Sequence, residues 1–403
     1  MKLFSTYQRL FSLPEFGPSL FAAVAGKLQP GIFSLALLLE VAHYRSLNDA
    51  AIVVSLSTLA GITVPLRGRL MDRHGYAKVM RPALVLYLLA LAGLVSNERA
   101  EGPLVTTVAC AVAAGTTAPP VQIVTRLMWR SLATPDLRTT ILSLDAVLAD
   151  LGFIAGPMLA AFLAELVAPW AGLATAAFLT TSATILLLCR RLPQPVRQDK
   201  PATRDWMGPL RSRPLRHTLT AAVLFFLAVR SIELAFPAWA HQHNAPLMSG
   251  ILLSAMAIGS VIGGVVLGAL PPRWGAKASL SVTLAVLALG AALVAAASQT
   301  YVGVLIAAAA LLGLALGPTF VALYSTAGDL APPDMAAETQ SWIGAFMALG
   351  GSAGTAISGL VAQKSGPETA LVLAAVALAA ASSLARMATL RQPVPTHHAE
   401  SQA

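Results

Sequence analysis

Twelve continuous apolar stretches, each 18–24 residues long, follow one another along this 403-residue chain, with polar loops between them. A helix needs roughly 20 apolar residues to cross the hydrocarbon core of a membrane, so each stretch is long enough for one crossing. Only 11% of the residues are charged, against about 25% in a typical soluble domain, which excludes a single water-soluble core. The sequence therefore predicts an all-α membrane protein with twelve transmembrane helices.

We number the predicted segments 1 to 12 in chain order. They are Ser19–Val41, Asn48–Leu66, Val79–Ser96, Leu104–Val124, Ile141–Leu163, Ala171–Leu188, Thr218–Ala240, Leu247–Leu270, Ser279–Ala297, Val302–Tyr324, Gln340–Ala362 and Glu368–Met387. The longest polar stretch, from Arg190 to His217, divides them into two sets of six. We predict an N-terminal six-helix bundle at 1–189, a cytoplasmic linker at 190–217, a C-terminal six-helix bundle at 218–390 and a cytoplasmic tail at 391–403.

The two sets of segments resemble each other at an offset of about 200 residues. The matching positions are Gly68 with Gly268, Arg73 with Arg273, Gly75 with Gly275, Gly152 with Gly350, and Gly156 with Gly354. Six spans per repeat make both halves begin on the same side of the membrane, so the repeat is parallel and its pseudo-twofold axis runs along the membrane normal.

The basic residues predict the orientation. When segment 1 begins in the cytoplasm, 22 of the 27 Lys and Arg residues lie on the cytoplasmic side and 3 on the other side. Cytoplasmic loops are enriched in Lys and Arg, so we expect both termini in the cytoplasm and the chain in the inner (plasma) membrane. The net charge of +9 is explained by these loops, and no nucleic acid is expected as a partner.

A motif follows segment 2, where the chain reads Gly68-Arg69-Leu70-Met71-Asp72-Arg73-His74-Gly75-Tyr76-Ala77-Lys78. This stretch resembles the signature loop of the major facilitator superfamily, Gly-x-x-x-Asp-Arg-x-Gly followed by basic residues. The positions that match are Gly68, Asp72, Arg73, Gly75 and Lys78, whereas Tyr76 and Ala77 depart from the pattern. With the twelve segments in two halves, the resemblance implies the fold of that superfamily and a secondary transporter that works by alternating access.

The chemistry of the motif is that of a conformational latch. Gly68 lets two helices approach closely, and Gly75 permits a tight turn. Asp72 can meet a helix N-terminus, where a negative charge is stabilising, and Arg73 can bind a carboxylate through two parallel hydrogen bonds. The alternative is a static turn with solvated charges.

A second resemblance lies in segment 5, at Gly152-x-x-x-Gly156-Pro157. Exporters of the drug–proton antiporter type carry a longer glycine-rich pattern that ends in Gly-Pro there; Leu144 stands where a further glycine is expected. Gly152 and Gly156 share one helix face, which we expect to pack on Gly259 and Gly263 of segment 8. The partial match implies efflux, and ordinary packing of small residues is the alternative.

Ionisable residues inside spanning helices usually have a partner or a function, since a charge at the helix centre costs about 2.5–3.5 kcal/mol on insertion scales. The candidates are Lys27, Asp145, Asp150, Arg230 and Glu233. Arg230 and Glu233 are three residues apart and can pair along one helix face. Asp145 is interpreted as a partner for arginines such as Arg126. Asp150 is interpreted as the proton carrier, with a permanent ion pair to a cation such as Lys27 as the alternative. Lys27 is interpreted as a cavity residue, with snorkelling or pairing to an acid as the alternative.

These features together predict a secondary transporter of a small organic solute, most simply a proton-coupled exporter, with a proton-linked importer as the alternative. We expect a monomer in the lipid bilayer without a metal or cofactor. The predicted spans contain no histidine, which argues against an intramembrane enzyme. A receptor or scaffold without transport activity is the remaining class, but charges inside the spans argue against an emptied cavity.

The predicted topology can be tested with a reporter enzyme that is active only in the periplasm, fused after Ala403. We expect no reporter activity, because an even number of spans returns the chain to the cytoplasm. Strong activity would mean an odd number of spans.

Overall fold

The computed structural model describes residues 5–12, 16–134, 136–190, 208–270, 279–332 and 334–389. Within these ranges, eleven helical stretches are long and apolar enough to cross a membrane. Segment 1 is Phe16–Tyr44, segment 3 Tyr76–Arg99, segment 4 Leu104–Leu132, segment 5 Arg138–Leu166 and segment 6 Ala171–Leu188. Segments 7 to 12 are Arg213–Gln242, Pro246–Ala269, Leu280–Ala297, Val302–Asp329, Ala336–Ser365 and Pro367–Thr389.

Segment 2 is interrupted. It consists of the helix Leu47–Leu59, a 3-10 turn Ala60–Thr63 and the helix Val64–His74. Pro65 explains the interruption, because it has no N–H to donate to the carbonyl of Gly61 and its ring crowds the preceding turn. The prediction of one uninterrupted helix is therefore wrong here, and so is the interpretation of the whole motif as a loop. The motif is helical up to His74, and only Gly75, with φ of +90°, separates it from segment 3.

Segment 4 is also built from two helices, Leu104–Thr117 and Val121–Leu132. Pro119 and Pro120 lie between them, and neither can donate a backbone hydrogen bond. The second helix carries the segment beyond its predicted end at Val124. A short helix, Ser5–Phe11, precedes segment 1, and segment 7 begins at Arg213, inside the predicted linker.

Glycines mark the closest helix contacts, but not with the predicted partner. A Cβ atom on Gly152 would lie 2.6 Å from the carbonyl oxygen of Lys27, and one on Gly156 would lie 3.0 Å from the Cα of Gly31. Gly152 and Gly156 therefore pack on segment 1, and Pro157 contacts Gly31 at the same seam. The expectation that they meet Gly259 and Gly263 is wrong, because those glycines pack on segment 10. Small residues show which helix face makes a close contact, but they do not specify the partner helix.

The same contacts recur 198 residues later in the chain. Gly350 and Gly354 of segment 11 pack on segment 7 at Val223 and Leu227, as Gly152 and Gly156 pack on segment 1. Gly115 of segment 4 lies against the Ser57 carbonyl of segment 2, and Gly313 of segment 10 lies against the Met256 carbonyl of segment 8. This recurrence supports the internal repeat. Its proposed members Arg273 and Gly275 lie outside the described residues.

The two largest clusters of buried apolar residues lie in separate halves of the chain, whereas two smaller clusters combine residues of both halves. The largest cluster contains only residues between 215 and 385, and a second contains only residues between 32 and 176. The halves meet where Val64–His74 packs on segment 11 and where segment 5 packs on segment 8. We call the side of the bundle at which segment 1 begins and segment 2 ends the motif face.

The seam between segments 1 and 5 predicts opposite effects of alanine at two glycines. Gly152→Ala should lower the thermal unfolding midpoint in detergent, because the added methyl group meets backbone atoms of segment 1; such overpacking costs typically 1–3 kcal/mol. Gly303→Ala is the matched control, since no atom lies within 4 Å of its Cβ position and alanine favours a helix by about 1 kcal/mol. Equal midpoints for the two variants would contradict this packing.

Candidate functional site

Two adjoining cavities lie between the helices. The smaller one, about 470 Å³ in volume, is lined by six charged side chains. They are Lys27 of segment 1, Arg126 of segment 4, Asp145 and Asp150 of segment 5, and Arg230 and Glu233 of segment 7. All four cavity residues predicted from the sequence, Lys27, Asp150, Arg230 and Glu233, are therefore at this cavity.

Asp145 is the centre of a buried ionic triad. Its Oδ1 lies 3.0 Å from Lys27 Nζ, and its Oδ2 lies 2.7 Å from Nη2 and 3.0 Å from Nε of Arg126. The three side chains are no more than 5% exposed. Two cations thus share one carboxylate, which leaves the triad with a net charge of +1 when all three groups are ionised.

Arg126 also contacts the other half of the chain. Its guanidinium carbon lies 3.6 Å from the centre of the Tyr324 ring in segment 10, a cation–π arrangement that is stronger in the absence of water. Its Nη1 donates to Oε1 of Gln340 in segment 11 at 3.4 Å. Arg126 therefore holds segments 10 and 11 against segments 4 and 5.

Asp150 lies one to two helix turns beyond Asp145 and has a different environment. Its Oδ2 accepts a hydrogen bond of 2.6 Å from the hydroxyl of Ser260 in segment 8. Within the described ranges Asp150 forms no ion pair, because Lys27 pairs with Asp145 instead. It is thus the one acid of the smaller cavity without a cation partner, and its hydrogen bond joins the two halves.

Arg230 and Glu233 form an ion pair along segment 7, with 2.6 Å between Nη1 and Oε2. Their side chains are 35% and 24% exposed, so the pair faces the cavity. The guanidinium of Arg230 lies 5.5 Å from the ring centre of Phe153 in segment 5. The pair and the ring place a dipolar surface next to an aromatic one.

The larger cavity has a volume of about 870 Å³ and extends among segments 1, 2 and 4. It shares Arg126, Arg230 and Tyr324 with the smaller cavity and adds Arg67 of segment 2. Its walls combine apolar side chains such as Phe33 with the polar groups of Gln29, Gln122 and Ser57, among others. An amphipathic solute fits such walls better than a fully hydrated ion does.

Asp72 contacts the first turn of segment 11 at the motif face. Its Oδ1 accepts from the backbone N–H of Ala337 at 3.1 Å, and its Oδ2 accepts from that of Glu338 at 2.7 Å. These donors have no partner within their own helix, and the helix dipole favours a negative charge there. Arg69, one turn earlier on the same face, pairs with the Glu338 carboxylate at 2.6 Å.

The other motif residues have different surroundings. A Cβ atom on Gly68 would lie 2.7 Å from the carbonyl oxygen of Ala337, so the two helices can approach this closely only at a glycine. Arg73 and Lys78 are exposed, and neither forms an ion pair with another described residue. The carboxylate contact expected for Arg73 is made instead by Arg69, which donates from Nε and Nη2 to Oε1 of Glu338 at 3.1 Å and 2.6 Å.

Further contacts close the motif face. Nη2 of Arg130, at the end of segment 4, lies 2.8 Å from Oδ1 of Asp329 at the end of segment 10. The Thr140 hydroxyl donates to the carbonyl of Gly268 at 2.7 Å, which joins segment 5 to segment 8. In this conformation the two halves are therefore bound together at the end of the helices that carries the motif.

The prediction that Asp145 pairs with Arg126 is confirmed. The sequence placed Arg126 at the end of segment 4, however, whereas the break at Pro119 and Pro120 puts it at the cavity. That double proline is the signal that points to a longer, broken segment. Other site residues were not singled out by the sequence. Nothing in the sequence pattern marked Ser260 or Tyr324. Glu40 is a further buried acid of segment 1, and it lines neither of the two cavities. Among the described residues, no group of three His, Cys, Asp or Glu side chains is placed to hold a metal ion.

Apolar helices around a charged cavity, closed at one face by contacts between two halves, are the architecture of a membrane transporter. The sequence model of the Major Facilitator Superfamily matches residues 19–355 and 234–403. The chain therefore belongs to the major facilitator superfamily, whose members are transporters and not enzymes.

Solved structures of this family share the fold at low sequence identity. A bacterial homologue of the iron transporter ferroportin in an outward-facing state is 15% identical, with a TM-score of 0.78 and coverage of 94% of this chain and 100% of that one. The human organic anion transporter MFSD10 is 17% identical, with a TM-score of 0.72 and coverage of 93% and 100%. The E. coli fucose:proton symporter is 15% identical, with a TM-score of 0.73 and coverage of 93% and 99%. A search of curated proteins found no match.

The contact of Asp72 with segment 11 predicts the effect of Asp72→Asn. The amide has one acceptor oxygen and no charge, so it can satisfy one of the two N–H groups and loses the interaction with the helix dipole, about 0.3–1 kcal/mol at an exposed site. We expect a motif face that opens more often, seen as longer spin-label distances between the ends of segments 2 and 11 and as reduced solute flux at equal protein level. Glu165→Gln, an exposed acid at the opposite end of segment 5, is the control. Wild-type distances in Asp72→Asn would contradict the latch.

Proposed function

We propose that this protein is a proton-coupled secondary transporter of a small organic solute. In this proposal, the interrupted segment 2 also crosses the membrane, which brings the number of spans to twelve. The two six-helix bundles, 1–189 and 218–390, are related by a pseudo-twofold axis. The linker 190–217, the tail 391–403 and the motif face are cytoplasmic, and the protein works as a monomer in the inner membrane. Rocking of the bundles exposes the cavity to each side in turn.

One observation carries the proposal: charged groups of the cavity also make the contacts between the halves. Arg126 lines both cavities and touches Tyr324 and Gln340 across the interface. A solute that draws Arg126 away from these partners weakens the closure of the motif face. Binding energy at the cavity is thereby linked to the conformation, which alternating access requires. With the motif face in the cytoplasm, the conformation described above is the one closed to the cytoplasm.

Asp150 is the residue that we propose carries the proton. Protonation makes its carboxyl group a hydrogen-bond donor, so the contact with Ser260 must rearrange when the proton arrives or leaves. Since Ser260 belongs to the other half, the charge state of Asp150 acts on the relative position of the halves. The acids Asp145 and Glu233 are neutralised by cations within 3.0 Å and 2.6 Å, which makes them poorer carriers.

Export is the first direction that we propose, on the partial antiporter pattern at Gly152, Gly156 and Pro157. Proton-linked import is the second candidate, and the charge of the larger cavity favours it. The charged residues that line that cavity, among those described, are all arginines. An anion that binds there is repelled less when Asp150 is protonated, so proton and solute would bind together and move in the same direction.

Asp150→Asn tests the coupling. Purified protein is reconstituted into liposomes that contain a pH-sensitive dye, and a panel of carboxylates, amines and neutral solutes is added outside. We expect at least one solute to move protons with the wild type and with the control Glu165→Gln, an exposed acid on the same helix. Asp150→Asn should abolish this proton movement and spare the exchange of labelled solute without a pH gradient. Wild-type pH dependence in Asp150→Asn would move the coupling role elsewhere, with Glu233 the next candidate.

A further inference from the structure

The charged lining of the larger cavity has one sign. Among the described residues it includes the guanidinium groups of Arg67, Arg126 and Arg230, and it includes no carboxylate. The smaller cavity, by contrast, has three acids and three cations. A solute in the larger cavity therefore meets positive charge only.

Arg67 differs from the other two arginines in having no acidic partner. Arg126 pairs with Asp145 and Arg230 pairs with Glu233, whereas no described residue forms an ion pair with Arg67. Its Nη1 donates to the carbonyl of Ala118, and its Nη2 lies 3.5 Å from the carbonyl of Gly115. Its Nε is buried and has no hydrogen-bond partner among the described residues.

The local backbone explains only part of this arrangement. Pro119 cannot donate to the carbonyl of Gly115, and the carbonyls at the end of the helix Leu104–Thr117 favour a cation. Arg67 fills that role with two of its five N–H groups. Arg67 therefore keeps unused N–H donors at the cavity wall, and no described carboxylate pairs with it. It lacks the counter-charge that buried cations normally have.

We propose that the larger cavity binds an organic monocarboxylate and that Arg67 binds its carboxylate group. This site deepens the proposed transport function, since the carboxylate would be the transported solute. One uncompensated cation matches a monoanion, and the planar guanidinium matches a carboxylate through parallel hydrogen bonds. The apolar wall, formed by Phe33, Leu38, Val54 and Tyr87 among others, suits an aromatic or aliphatic body.

The site is next to the contact that closes the motif face. Arg67 directly precedes Gly68, which packs on the first turns of segment 11. Ser341 of segment 11 lines the same cavity and donates to the carbonyl of Ala337. A carboxylate on Arg67 would thus share a cavity with the helix that Asp72 caps, and its site lies one residue from the close contact at Gly68.

The test is equilibrium binding of 2-naphthoate and of its neutral analogue 2-naphthamide to the purified full-length protein in detergent. A ligand that binds only the folded state stabilises it by RT ln(1 + [L]/Kd), so the unfolding midpoint rises with the free ligand concentration. We expect naphthoate to raise the midpoint and naphthamide to leave it unchanged at the same concentration. Arg67→Gln should weaken naphthoate binding at least tenfold, Arg67→Lys should weaken it less, and the exposed Arg81→Gln should bind as the wild type does. Equal shifts with the two compounds, no shift with naphthoate, or wild-type affinity in Arg67→Gln would each overturn the proposal.

A second measurement keeps the test valid if Arg67→Gln does not fold. Gly61 lines the same cavity, and no atom lies within 4 Å of the position of a Cβ atom there. Gly61→Cys, in a chain with Cys110→Ser and Cys189→Ser, is labelled with an anionic sulfonatoethyl or a cationic trimethylammonioethyl methanethiosulfonate. The ratio of the labelling rate of the anionic reagent to that of the cationic reagent should be at least threefold higher at Gly61→Cys than at free 2-mercaptoethanol. A ratio of rates equal to that of the free thiol overturns the proposal. Binding without any solute flux in liposomes would contradict the transport function while supporting this site.

Discussion

The carboxylate of Asp145 is the group on which the interior of this protein depends. From its own position on segment 5 it pairs with both Lys27 of segment 1 and Arg126 of segment 4. Breaking a buried pair costs about 3–5 kcal/mol, and loss of Asp145 would leave two buried cations unpaired. The same carboxylate fixes the plane in which Arg126 meets Tyr324 and Gln340. The packing within one half and the contact between the halves therefore share a single charged group.

The two halves repeat each other in packing but not in backbone continuity. Segments 2 and 4 are interrupted, whereas segments 8 and 10 are continuous, and segment 10 remains helical through Pro318. In segment 4, Pro119 and Pro120 leave two neighbouring carbonyls without their donors and stop the helix, whereas Pro318 in segment 10 leaves only one. The space beside those breaks holds Arg67 and the larger cavity. The N-terminal half thus supplies the polar space, and the C-terminal half supplies a continuous wall.

Much of the fold was predictable because apolar length and loop charge are local properties of the sequence. Segment 6 begins and ends as predicted, at Ala171 and Leu188. The predictions that were wrong depended on which residues lie next to each other in the folded protein. The length of an apolar stretch does not show an internal break, so Arg126 was placed too near the surface. The motif, interpreted as a loop, hid a helical face on which Arg69 and Asp72 point together while Arg73 points away. The sequence showed the helix face of small residues at Gly152, but it did not show which helix packs on that face.

The charges of the cavities relate the sign of the solute's charge to whether the solute and the proton move in the same direction or in opposite directions. The six groups of the smaller cavity sum to zero when all are ionised, and Arg67 adds one positive charge in the larger cavity. Protonation of Asp150 raises that excess, and a bound carboxylate lowers it, so each favours the other. A cationic solute would be favoured by deprotonation instead, which is the requirement for exchange against protons. A carboxylate bound at Arg67 therefore favours proton-linked import, whereas an exporter of the antiporter type would need a solute that competes with the proton for Asp150.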